Sequence, residues 1–123
     1  MLRIPQFRVS LIILALAAAF GATQAQAHAR LVTTTPAAST KVASPQTVLL
    51  QFSEDIAKNL SSVKLTDTGA KAVATMAMPA PDAKSLSLMP DETLAPGRYT
   101  VSWTVVSTAD GDKTSGTFQF TVR

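Results

Sequence analysis

The chain has 123 residues, 46% hydrophobic and 15% charged, with a formal net charge of +3 and no cysteine. The missing cysteine excludes disulfides, thiolate metal ligands and thiol catalysis, and a single histidine, His28, argues against a Ser-His-Asp hydrolase. The charges are scattered without a basic stripe, so nucleic acid is not an expected partner.

Residues 1–27 read as a secretory signal peptide. Arg3 and Arg8 form the positive n-region, Leu11 to Ala19 the apolar h-region, and Ala25-Gln26-Ala27 a small-residue cleavage signature. An uncleaved membrane anchor is the alternative, but a spanning helix needs about 20 apolar residues and this run is shorter. Cleavage after Ala27 leaves residues 28–123 as one small, soluble domain, expected in a bacterial periplasm and as a monomer. Arg3 and Arg8 are the only charges in the leader, so the remainder carries nine basic against eight acidic residues, a net of +1.

After His28 the pattern is short strands separated by turn residues. Leu31 to Thr34 predicts a first strand, and Thr47–Phe52 a second with Val48, Leu50 and Phe52 on one face. Glu54 to Leu60 holds at most one helical turn. Ser62–Thr66 alternates with Val63 and Leu65 inward, and Asp67-Thr68-Gly69 supplies a turn. Residues 74–83 are the least strand-like stretch and are expected as a loop. Ser85–Met89 alternates again. Arg98–Val106 is the longest predicted strand, with Tyr99, Val101, Trp103 and Val105 on one side. Thr117–Val122 closes the chain with Phe118, Phe120 and Val122 aligned. Pro36, Pro45, Pro79, Pro81, Pro90 and Pro96 fall between predicted strands, where a missing N–H does least harm. About seven such strands predict an all-β fold, a small antiparallel Greek-key β-sandwich, with Trp103 in its core.

Three groups carry candidate chemistry. His28, as the first residue after cleavage, offers its α-amine and ring Nδ1 as one six-membered chelate, and nitrogen donors of this kind suit Cu(II); the alternative is that cleavage merely happens to leave a histidine there. Asp110-Gly111-Asp112 presents two carboxylates from the turn between the last two strands. They suit Ca²⁺ or Mg²⁺, or complete a mixed nitrogen–oxygen copper site; equally, Asp-Gly is a hairpin turn signal in its own right. Met76 and Met78, with Met89 not far along the chain, are soft thioethers that suit Cu(I) or fill gaps in a core. Glu54, Asp55, Asp91 and Glu92 lie beside turns and read as solvated. No phosphate-binding glycine loop and no dinucleotide fingerprint is present.

Over nearly all of residues 28–123 the chain resembles the CopC-like periplasmic copper-binding proteins. The resemblance rests on His28-Ala29-Arg30-Leu31, Thr35-Pro36-Ala37, Val48–Glu54, Leu94–Trp103, Ser107–Gly111 and Gly116–Val122, in that order and spacing. It implies a cupredoxin-like or immunoglobulin-like sandwich and a copper-homeostasis or copper-resistance carrier or buffer, not an enzyme. It also implies a Cu(II) site built from the terminal amine and imidazole, an aspartate and a second histidine. His28 matches the terminal ligand and Asp110 the aspartate. The second histidine falls on Asp112, which is harder, charged and shorter in reach than imidazole. Met76 and Met78 match part of a methionine-rich Cu(I) loop. The partner implied is an inner-membrane copper transporter of CopD type, and with Asp112 in that place a degenerate interaction module of weak or no copper binding is the alternative. Polysaccharide monooxygenases also use a terminal histidine, but their site requires a second one, which this chain lacks.

Overall fold

The computed structural model describes residues 28–123; the predicted signal peptide lies outside the described residues. Eight strands run in chain order: β1 (Leu31–Thr35), β2 (Lys41–Val42), β3 (Val48–Phe52), β4 (Ser62–Thr66), β5 (Thr75–Met78), β6 (Ser85–Pro90), β7 (Gly97–Val106) and β8 (Lys113–Val122). A single 3-10 turn, Lys58–Leu60, precedes β4. One sheet has the order β1-β3-β6-β5 and the other β2-β8-β7-β4. The chain changes sheet at most of its connections, and the expected all-β sandwich is what these strands build. The pairing departs from all-antiparallel at one place: β2 runs parallel to the end of β8, with Lys41 opposite Thr121 and Val42 opposite Val122.

The alternation in the sequence explains which faces meet. Along β7, Tyr99, Val101, Trp103 and Val105 are buried while Arg98, Thr100, Ser102 and Thr104 turn away; a period of two places every second side chain on one face. Phe118, Phe120 and Val122 of β8 and Leu65 of β4 join them, facing Val48, Leu50 and Phe52 of β3 and Leu88 of β6. Each fully buried side chain of this size contributes about 1.5–3 kcal/mol. Phe52 and Trp103 lock the two layers edge to face, with ring centroids 5.1 Å apart, and Tyr99 stacks on Phe120 at 5.8 Å.

Three expectations need correction, and one short strand adds to the predicted set. Residues 74–83 are not all loop, because Thr75–Met78 pair with β6, Met76 opposite Met89 and Met78 opposite Ser87. β8 begins at Lys113, not Thr117: Lys113–Gly116 have weak strand character, but the edge of β7 from Val106 back to Trp103 supplies ladder partners for them. Gly116 lies against the Trp103 ring so closely that a Cβ there would stand 2.5 Å from Cζ2. Lys41–Val42 is a strand too short to show any period. Pro90 ends β6 and is buried, not between strands; there β6 has run past its last β3 partner, Val48 opposite Leu88, and no ladder bond on that side is lost.

Candidate metal centre

The β7–β8 hairpin turns through Ser107–Asp112, and its backbone bonds define the turn closely. Ser107 N–H donates to the Asp112 carbonyl (3.0 Å) and Gly111 N–H to the Ser107 carbonyl (2.9 Å). Gly111 takes a positive φ of 72°, a conformation that favours glycine. Asp110 folds its carboxylate back, so that Oδ1 accepts the Asp112 N–H at 3.0 Å. Fully buried Ser107 bridges Ile56, and Thr108 N–H donates to the Asp55 carbonyl at 3.1 Å. The turn is thus pinned to the segment that follows β3.

Residues 28–30 reach the same pole from the other sheet. Arg30 N–H donates to Ser53 Oγ (2.9 Å) and Ser53 N–H donates back to the Arg30 carbonyl (2.8 Å). Ala29 is buried, and its carbonyl accepts the Thr114 hydroxyl at 2.9 Å. His28 therefore emerges beside the turn, with Nδ1 2.9 Å from Asp112 Oδ2. One ligand atom from each of His28, Asp110 and Asp112 can be chosen so that all lie within 4.8 Å of one another. The histidine and Asp112 side chains are 47% and 51% exposed. In water a contact of this kind is worth under about 1 kcal/mol, so it holds the groups together without locking them. An imidazole nitrogen and two carboxylates converging at an open surface are a mixed nitrogen–oxygen donor set of a kind that can hold a divalent metal.

The methionines lie elsewhere. Met76 and Met78, 55% and 36% exposed, share the outer face of β5, with Met89 directly opposite Met76. They do not fill the core. β5 and β1 are opposite edges of one sheet, three strand spacings or about 14 Å apart, so these sulfurs form a surface separate from the pole His28 occupies. Asp55, Asp91 and Glu92 are exposed, as expected, and Glu54 is half-buried. The residues that sequence reasoning passed over are Ser53, Ser107 and Thr114. Serine and threonine are common throughout the chain, and no local pattern marks the ones that anchor the His28 segment and the Asp110–Asp112 turn. Among the described residues no helix is long and apolar enough to cross a membrane.

Comparison with known proteins agrees with this architecture. Copper resistance protein C of Escherichia coli is 37% identical over 107 residues, covering 80% of this chain and 84% of that protein. Protein YobA of Escherichia coli K12 is 41% identical over 102 residues, covering 79% and 80%. The crystal structure of PcoC, a methionine-rich copper resistance protein from Escherichia coli, superposes with a TM-score of 0.73 at 36% identity, covering 79% of this chain and all of that one. The CopC domain pattern matches residues 31–123, which takes in Asp110 and Asp112 and starts just after His28. The chain is a member of the CopC domain family.

Proposed function

We propose that this protein is a copper-ion carrier or buffer of the bacterial periplasm, serving copper homeostasis and resistance without catalysing a reaction. The observation that carries this reading is the convergence of His28, Asp110 and Asp112 within 4.8 Å. The relatives named as copper resistance proteins support copper as the cargo. Export with cleavage after Ala27 converts the His28 nitrogen from an amide to an amine, and that amine with Nδ1 forms the chelate. Two neutral nitrogens and the two carboxylates of Asp110 and Asp112 balance the charge of Cu(II), which heads the divalent affinity order for such sites.

Asp112 has a double part in this reading. Before copper arrives it partners Nδ1; when copper takes that nitrogen, the carboxylate is released to become an oxygen ligand. The openness of the site suits a carrier that must give its cargo up. Met76 and Met78, joined by Met89, offer a second, soft surface for Cu(I). Asp112 in the place of an imidazole favours a second reading, a module with weak or no copper binding that acts on an inner-membrane copper transporter of CopD type.

The test is a Cu(II) titration of the exported protein, its N-terminus verified by mass spectrometry, followed by electron paramagnetic resonance. One equivalent of a tetragonal Cu(II) signal at micromolar copper is expected. No such signal would sink the first reading and leave the second.

A further inference from the structure

We infer that Thr114 is a positioning residue of this centre: its hydroxyl, by holding the Ala29 carbonyl, sets the distance between His28 and the Asp110–Asp112 turn without touching the metal. The inference rests on the copper-binding reading above. His28 precedes β1 and belongs to no strand, so no ladder of a sheet orients it. The two bonds between Arg30 and Ser53 tie its segment to the end of β3, in the sheet that β1 belongs to. Asp110 and Asp112 ride on the β7–β8 hairpin of the other sheet. Among the described residues, the Thr114–Ala29 hydrogen bond is the one backbone-directed link from the His28 segment to that hairpin.

The lever is short at both ends. Thr114 follows Asp112 by two residues and is fixed in register opposite Val105. Ala29, at 1% exposure, is the neighbour of His28. The bond between these points is partly buried, and its loss leaves the carbonyl of buried Ala29 without this partner, which drives the segment outward to find one. His28 then swings away from a turn whose own bonds keep its backbone and the Asp110 carboxylate in place. Valine is the sharp probe, because it keeps the shape and strand preference of threonine and lacks only the donor.

In the exported protein, Thr114→Val is expected to lower Cu(II) affinity about three- to tenfold, the worth of one neutral hydrogen bond, and to change the electron paramagnetic resonance spectrum. Thr114→Ser, which keeps the hydroxyl, should stay within about twofold of the parent. In the metal-free protein, nuclear Overhauser contacts between the His28 ring and Asp112 should persist in Thr114→Ser and vanish in Thr114→Val. Thr114→Ala supplies the same comparison should the valine variant melt early. Parental affinity together with intact His28–Asp112 contacts in Thr114→Val overturns the inference, as does an equal loss in Thr114→Ser. A parent that binds no Cu(II) refutes the copper reading alone, since the metal-free contacts still decide whether Thr114 positions His28.

Discussion

His28 meets Asp110 and Asp112 across more than 80 residues of sequence, whereas Met76, Met78 and Met89 share a face because two neighbouring strands pair. The first group stands on bonds from both sheets: Ser53 follows β3, Thr114 lies in β8, and Ser107 is fully buried beneath the turn. The second stands on one hairpin, with Met76 and Met78 exposed on its edge strand and Met89 half-buried on the strand beside it. The difference teaches that hard donors are gathered here by tertiary structure and soft donors by local pairing, so the two surfaces should respond to different perturbations.

The strongest way to separate them is to add one residue before His28. That restores an amide at the His28 nitrogen and removes half the chelate. Cu(II) affinity should fall about 100-fold or more, beyond the 10- to 100-fold typical of losing an outer-shell partner, while Cu(I) binding at the methionines should not change. Competition titration with a chelator of known strength reads both, and an unchanged Cu(II) affinity would show that the amine is not a ligand.

The next test asks which surface depends on the core. Gly116→Ala drives a Cβ into the Trp103 ring, and overpacking of this kind costs about 1–3 kcal/mol. Chemical denaturation should show that loss. Asp112→His then probes the donor set itself: Cu(II) affinity should rise about tenfold, or 1.4 kcal/mol, as imidazole replaces carboxylate. No gain would mean that position 112 does not reach the metal.

On the other surface, replacing Met76 and Met78 together by leucine should lower Cu(I) affinity several-fold, leave Cu(II) within about twofold, and move stability by less than about 0.5 kcal/mol, because both side chains are exposed. The smallest effect concerns the turn into β6. The Ser85 hydroxyl, then the Lys84 N–H, hold the Asp82 carboxyl below its ordinary value of 3.8. A depressed folded value means that the ionised group stabilises the fold above the unfolded value and loses that contribution as pH falls through the folded one. Asp82→Asn should therefore be slightly less stable than the parent at neutral pH, and the gap should close as pH falls below about 3.8 and on through the depressed folded value, as followed by thermal melting across pH. A gap that persists in acid would assign the effect to the turn's shape and not to its charge.

Much of this was legible in the residues. The strands Val48–Phe52, Ser62–Thr66 and Gly97–Val106 announce themselves because one face of each is buried, and burial imposes a period of two. The candidate ligands were legible as types, since a lone histidine after a cleavage signature and two carboxylates in one turn stand out in any context. What stayed hidden was structure that a partner induces. Thr75–Met78 has no alternation of its own and becomes a strand because β6 offers it an edge. Lys113–Gly116 extends β8 because β7 continues beside it.

By itself, then, the sequence determined the all-β class, the inward faces of the long strands, and the chemistry available at His28, Asp110, Asp112 and the methionines. Alternation, turn residues and donor types are local properties, and each is readable from a few neighbours. Tertiary structure alone decided that His28 and Asp112 lie 2.9 Å apart, that Met76 and Met78 face water, and that Thr114 meets Ala29. Those facts depend on how two sheets close over one core, and long-range geometry of that kind leaves no mark on the spacing of residues along the chain.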